Sequence, residues 1–465
     1  MKLNDVRDVV VIGGGPAGSS CASFLAMKGH RVTVLEKEEF PREHVGESLL
    51  PFCYNLFDQL GVLDEMKKHY VRKPGVRFVD VNGVTKTTWC FNHVIHDHTY
   101  LSFQVARANF DKLLLDNSRR HGAHVEERTK VDKVNLNGPD GLVEVQATGP
   151  DGEKETHYAR FLLDCSGRST FLANMQGIKK KYPDLDRTAL WTHYEVPGLS
   201  GGLEEGLSLI VYVGGEKKGW LWIFPLGPNW LTVGVVMNNT YLRSEKTRLQ
   251  QNGSEDWRMD LFLQELDYSP FAKKIIEGGK QIQPLFVEGD YSYFTEQKYG
   301  DNYAMVGDAA QFIDPIFSSG VYLAINSGRL VTDALHARLS GENGAGADRL
   351  AEAYQHINGA YKMVGKLINF FYSANTINFA QMGPAQELIH DRHKDAMAVG
   401  HFLLAGDFFD RYEHYGRIID LINDDRMYGR YKKLVNERED FIASTCGVDA
   451  ETAFHDLIKN GSSAI

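Results

Sequence analysis

The sequence predicts an α/β protein: a doubly wound, Rossmann-like parallel sheet, an interleaved antiparallel sheet and a mainly helical C-terminal region. Three observations carry this reading. A strand, a glycine turn and a helix open the chain; two more apolar strands running into Asp- and Gly-containing turns recur at 161–170 and 303–315; and strand-like runs crowd between 206 and 240. Strands separated by helices build parallel sheets, whereas consecutive short strands with turn residues between them build antiparallel ones.

The opening element is DVVVIGGGPAGSSCASFLAMKGHRVTVLEKE. Val9 to Ile12 form the unbroken apolar run of a strand buried on both faces. Gly13, Gly15 and Gly18 follow as GxGxxG, with Ala17 inside the motif. The first glycine permits the tight turn, the second lets a diphosphate reach the backbone, and the third lets the helix pack on the strand. The diphosphate then rests on the free N–H groups of the helix N-terminus. Glu36, followed by Lys37, closes the second strand, where an acid can bind ribose hydroxyls. This context, more than the motif alone, predicts a dinucleotide site.

The two downstream elements choose the dinucleotide. In YAMVGDAAQFIDP (303–315), Asp308 follows Gly307 at a strand end, placed to hold a ribityl hydroxyl while the next helix turns its amides toward a flavin ring. FLLDCSGRST (161–170) adds Asp164, Gly167 and Ser169. Three separated elements fit a cofactor as long as FAD better than NAD. A second GxGxxG in a strand-turn-helix setting is not found, because GENGAGADR (341–349) lacks the strand and reads as a surface loop, so no resident NADPH domain is expected.

The segment GWLWIFPLG (219–227) alternates as a strand, with Trp220, Trp222 and Phe224 on one face and Leu221 and Ile223 on the other. Taken alone, it is a core strand as readily as a wall beside a site. The aromatic-rich stretches 365–380 and 401–412 predict helices lining a core or a substrate pocket.

Composition narrows the partners. With 465 residues there is room for two or three domains, and the net charge of -10 argues against nucleic acid. No apolar run approaches the roughly 18 residues of a membrane span. Five scattered cysteines, Cys21, Cys53, Cys90, Cys165 and Cys446, form no CxxC pair, so neither a disulfide framework nor a metal site is expected and a reducing cytoplasm fits best. HVIHDH (93–98) reads as a polar hairpin tip.

With these residues in place, the sequence resembles the flavin-dependent halogenases. FPREHVGESLLP (40–51) is similar to a family segment, which implies that Arg42, Gly46, Glu47 and Ser48 lie near the flavin. QVARANFDKLLLDNSRRHGAHV (104–125) implies flavin contacts from Gln104 and Arg107, although the helix is also a plain amphipathic one. WLWIFP resembles the family signature WxWxIP: Trp220, Trp222 and Pro225 match and Phe224 replaces the isoleucine. The resemblance makes these residues a wall that keeps organic substrate from the flavin. DPIFSSGV (314–321) is the second signature; it implies halide held by the amides of Ser319 and Gly320, with Ser318 nearby. Phe317 stands where tryptophan halogenases carry a glutamate, which leans toward the phenol- and pyrrole-type branch. KPGVRF (73–78) matches the segment of the family's essential lysine, and Pro74 biases Lys73 toward extended backbone at a strand start, unlike the solvated Lys67 and Lys68.

The fold so implied is of the glutathione-reductase/aromatic-hydroxylase type, with cofactor segments at 1–75, 100–195 and 290–345, sheet segments at 76–99 and 196–289, and helices from 346 to 465. The implied chemistry uses FADH2 from a separate reductase, oxygen, and chloride, bromide or iodide. Hypohalous acid made at a flavin hydroperoxide travels past the tryptophans to Lys73, which delivers it to an electron-rich phenol, pyrrole or indole, free or tethered to a carrier protein. The alternatives are an aromatic hydroxylase and a prenyl-chain reductase on the same scaffold.

Overall fold

The strand Val6–Ile12 is the axis of the nucleotide-binding half, paired in parallel with Val32–Leu35 on one side and Lys154–Asp164 on the other. His124–Glu126 extends the first side and Tyr303–Met305 the second, again in parallel. In this computed structural model, which describes residues 6–213, 217, 219–289, 291–341, 346–372, 400–422 and 446–459, Val9, Val10 and Val11 are fully buried. Helices on both faces explain their unbroken apolar run. Pro16–Met27 crosses between the first two strands and packs against Arg107–Arg120 and Gly320–Leu339.

A second sheet stands over this half. Its central strands, Arg187–Glu195, Trp230–Asn238, Gly219–Gly227 and Ser208–Val213, run antiparallel in that spatial order. Gly75–Val79 then joins Ser208–Val213 in parallel, and Lys86–Cys90 closes the edge. Period-two alternation divides the core. Trp220, Trp222 and Phe224 face the core shared with the nucleotide-binding half, while Leu221 and Ile223 join Leu261, Phe262 and Leu266 behind the sheet. Trp222 lies over Gly234 on the neighbouring strand, where a Cβ would come within 2.2 Å of the indole ring.

Three expectations need correction. Cys90 and Cys446 form a disulfide across 356 residues, with Cα atoms 5.3 Å apart; a pairing at that separation leaves no local spacing pattern, and the cysteine argument for a reducing cytoplasm loses its basis. Lys73 ends a short strand, Val71–Lys73, instead of beginning one, because Pro74 has no N–H for the ladder and the chain restarts at Gly75–Val79. Within GENGAGADR, a helix begins at Gly346 and runs to Tyr372, so the stretch is not a surface loop throughout. The segment 373–380 of the predicted aromatic helix lies outside the described residues. No described helix is long and apolar enough to cross a membrane.

Candidate active site

A cavity of about 600 Å³ runs along the carboxyl ends of the parallel strands. Gly13, Gly15 and Ala17 line it at the first turn, and Glu36 and Lys37 at the end of the second strand. Gly13 has φ 97°, and a Cβ there would meet the Cys165 carbonyl at 2.4 Å, so the tight turn requires glycine. Gly18 does not line the cavity; its Cβ would fall 1.9 Å from the Gly13 carbonyl, the close helix-strand packing expected of the third glycine. Arg42 reaches the cavity beside Gly15, held by Asp111 at 2.9 Å. Asp111 also takes two hydrogen bonds from Arg107, which donates to the Val45 carbonyl as well and thereby clamps the loop that carries Gly46 and Ser48 into the cavity.

Gly167, Ser169 and Asp308 line the far side. Burial, opposed by Arg107 and Arg168, pushes the Asp308 carboxyl up to about 6. Gly307 sits behind it, packed on Ala324 and Ala17. Asp164 does not reach the cavity: its carboxylate accepts from the amides of Ser166 at 3.0 Å and Leu172 at 2.7 Å, bracing the turn from behind. Glu47 also turns away from the cavity, to His193 at 2.7 Å in a buried pair; burial opposes the charge on the imidazole, but the carboxylate prevails and raises its pKa above the ordinary value. Gln104 is buried against Ser208 and the Gly206 carbonyl, also outside the cavity.

Lys73 is 2% exposed. Its Nζ donates to Ser48 Oγ at 2.8 Å and to the Leu49 carbonyl at 2.9 Å. Since Ser48 lines the cavity, the amine stands one hydroxyl behind its wall. Desolvation disfavours the ammonium and lowers the pKa from 10.5 to about 7. An amine with these properties is a nucleophile at neutral pH, which a surface lysine is not.

The segment 314–320 brings the other candidate group to the cavity. Ser318, with φ 54°, holds the left-handed conformation that is costly for a residue with a Cβ, and its N–H donates to the Pro315 carbonyl at 3.0 Å. Ser319 is the N-cap residue of the helix Gly320–Leu339, so the first amides of that helix lack intrahelical acceptors. Ser318 and Gly320 line the cavity and Ser319 is buried beside them. Trp220, Trp222 and Pro225 do not line it. They lie in the buried face of the second sheet, where Trp220 Nε1 donates to the Tyr372 hydroxyl at 2.7 Å. That hydroxyl meets both oxygens of Asp314, at 3.2 and 3.1 Å, where the segment begins. Phe317 packs edge-on against Phe371.

The comparisons with known proteins bear on this arrangement directly. A family model described as FAD binding domain matches residues 7–361. The tryptophan 2-halogenase of Chondromyces crocatus is 30% identical over 397 residues, covering 84% of this chain and 72% of its own. The chain belongs to the flavin-dependent halogenases. A 1H-pyrrole-2-carbonyl peptidyl-carrier-protein chlorinase of Pseudomonas fluorescens is 28% identical over 347 residues, 70% of this chain and 74% of its own. The structure of the myxobacterial chondrochloren halogenase CndH matches at TM-score 0.72 and 29% identity, covering 96% of this chain and 99% of that one.

FAD is the cofactor of this halogenase, and the cavity fits it. The bare backbone at Gly15 with Arg42 beside it suits a diphosphate, and Glu36, which accepts from the amides of Gly14 at 2.6 Å and Glu38 at 2.8 Å, retains lone pairs for ribose hydroxyls. Several residues at or beside the cavity were not marked by the sequence. Arg168 stands inside a segment singled out for Asp164 and Gly167, and its charge could have marked it; it lines the cavity and donates to the Gly289 carbonyl at 2.8 Å. Tyr291 lines the cavity from a loop, and Ser208 and His193, on strands of the second sheet, meet Ser48 and Glu47; none of the three carries a local motif. Among the described residues, Glu126, Glu155 and His157 are spaced as a metal site could be, but they lie at a sheet surface away from this cavity.

Proposed function

We propose that this halogenase is a two-component enzyme acting on an electron-rich aromatic small molecule, with Lys73 delivering the halogen and the turn Ser318–Ser319–Gly320 holding the halide. The observation that carries the reading is Lys73 itself: a wholly buried amine, held by two acceptors, with a pKa of about 7 and one hydroxyl away from the cofactor cavity.

When bound, reduced FAD would supply the two electrons that activate oxygen, and oxygen is the oxidant that turns halide into hypohalous acid. The chain's own residues do the rest. The helix amides at Ser319 and Gly320 bind an anion at the cavity wall. The aromatic row on the second sheet excludes water and organic substrate from the space behind it. The neutral amine of Lys73 either takes the halogen from hypohalous acid, releasing water, or holds the acid by a hydrogen bond, and in both cases fixes the position from which the substrate ring attacks. Phe317 at the position before the serine pair favours the phenol- and pyrrole-type branch, whereas the Chondromyces relative is named for tryptophan; carrier-bound pyrrole is the substrate named for the Pseudomonas relative.

The test is incubation with a flavin reductase, FAD, NADH and each halide in turn, with phenols, pyrroles and indoles offered free and as carrier-protein thioesters. Halogenated product that depends on both reductase and halide is expected. Oxygenated product formed without halide would return the hydroxylase reading.

A further inference from the structure

Lys73 does not stand on Ser48 alone. Ser48 Oγ is 2.9 Å from Ser208 Oγ, and Ser208 Oγ accepts from Gln104 Nε2 at 2.8 Å. Each of these four side chains is at most 3% exposed. They come from four separate stretches of backbone: the loop that lines the cofactor cavity, the strand Val71–Lys73, its antiparallel partner Ser102–Gln104, and the strand Ser208–Val213 of the large sheet. The pairing of Val71 with Gln104 and of Lys73 with Ser102 sets Lys73 and Gln104 on one face of their ladder, and Ser48 bridges to Gln104.

The direction is fixed at the Gln104 end. Gln104 Nε2 also faces the Gly206 carbonyl at 3.3 Å, which can only accept, so the nitrogen is on that side and the amide gives a hydrogen to Ser208. Ser208 Oγ and Ser48 Oγ share a hydrogen bond in which either hydroxyl can donate, and Ser48 Oγ accepts from Lys73. The remaining hydrogen of Lys73's neutral amine goes to the Leu49 carbonyl. The amine is thus held between two oxygens beside the cavity wall. Polar groups buried this deeply are costly unless bonded, and an apolar residue at 208 or 104 would fill the space more cheaply.

We propose that Ser208 and Gln104 are positioning residues for Lys73, acting through the Ser48 hydroxyl. The proposal rests on the reading of Lys73 as the halogen carrier and assigns Gln104 to the amine instead of the flavin. Without Ser208, the Ser48 hydroxyl is free to turn, and the amine loses one of the two acceptors that favour its charged form.

The amine can be read without any substrate. FAD-loaded protein is treated with cyanate between pH 5 and 9, and carbamylation of Lys73 is followed by peptide mass spectrometry. Wild type should titrate near 7. In Ser208→Ala and Gln104→Leu the midpoint should fall by about 0.5 to 1 pH unit, a roughly 3- to 10-fold change in the protonation constant, because acceptors stabilise the ammonium. Ser208→Thr, which keeps the hydroxyl, should restore it. In parallel, product formed per FADH2 oxidised should drop several-fold in the first two variants with FADH2 oxidation unchanged. Identical midpoints in all four proteins would overturn the proposal, as would loss of folding in both Ser208→Ala and Gln104→Leu, since the network would then be structural. The underlying reading fails separately: if Lys73→Ala still halogenates, the lysine is no carrier, whatever cyanate reports.

Discussion

The indole nitrogen of Trp220 donates to the hydroxyl of Tyr372 at 2.7 Å. That hydroxyl passes on to Asp314, so the aromatic row and the start of the 314–320 segment are joined through one oxygen atom. Tyr372→Phe deletes that atom, leaving the Trp220 indole N–H without its acceptor and the buried Asp314 carboxyl with the Ile316 amide but not the hydroxyl, at a cost of about 1–3 kcal/mol. The variant is expected to melt several degrees lower and to form less product per FADH2, with FAD affinity held. Differential scanning calorimetry and a product-to-FADH2 ratio check both halves.

Gly234→Ala drives a methyl group into the ring of Trp222. Neither strand can give way without breaking its ladder, so overpacking should destabilise by about 1–3 kcal/mol. Urea unfolding should show a lower midpoint with an unchanged slope.

The buried amine makes stability depend on pH. Lys73 loses its proton near 7 when folded, against 10.5 for the unfolded chain. Between those values the unfolded state holds one more proton, so this group's contribution to stability rises with pH by about 1.36 kcal/mol per unit. Below 7 both states are protonated and the slope vanishes. Lys73→Met removes the slope, and the stability of wild type relative to the variant should therefore improve steadily from pH 7 to 9 in chemical denaturation.

Lys73→Ala separates making the oxidant from using it. Lys73 itself does not line the cofactor cavity, so FAD binding and FADH2 oxidation should continue, with peroxide or hypohalous acid released and almost no regioselective product. Near wild-type halogenation of a validated substrate would exclude the lysine as carrier.

The disulfide sets a thiol count. Denatured but unreduced protein should alkylate at Cys21, Cys53 and Cys165, and all five cysteines should react after reduction. Intact-mass measurement distinguishes the two.

The parts of the fold that could be read in the sequence are those whose physics is local. Val9 to Ile12 and the three glycines encode the first crossover because backbone sterics and two-sided burial act within a few residues, and the alternation of GWLWIFPLG set Trp220 and Trp222 on one face for the same reason. The role of Gln104 was not legible in this way. Its helix-entry motif pointed to the cofactor, but its partner Ser208 is 104 residues away and is brought to it by a sheet. Asp164 looked like a ligand because it ends a strand at the nucleotide site; the amides of Ser166 and Leu172 use its oxygens first. Cys90 and Cys446 illustrate the extreme, a pair with no signal short of the folded chain.

The helix Ala450–Lys459 is the last described element, and with Val448 its residues Ala453 and Phe454 pack on Val71, in the strand that ends at Lys73. Cys446 is fastened beside it to Cys90, opposite Gly75. During synthesis the strand that bears the reactive amine leaves the ribosome long before the residues that pack over it. The surroundings of Lys73 are therefore completed only when the last described helix is in place.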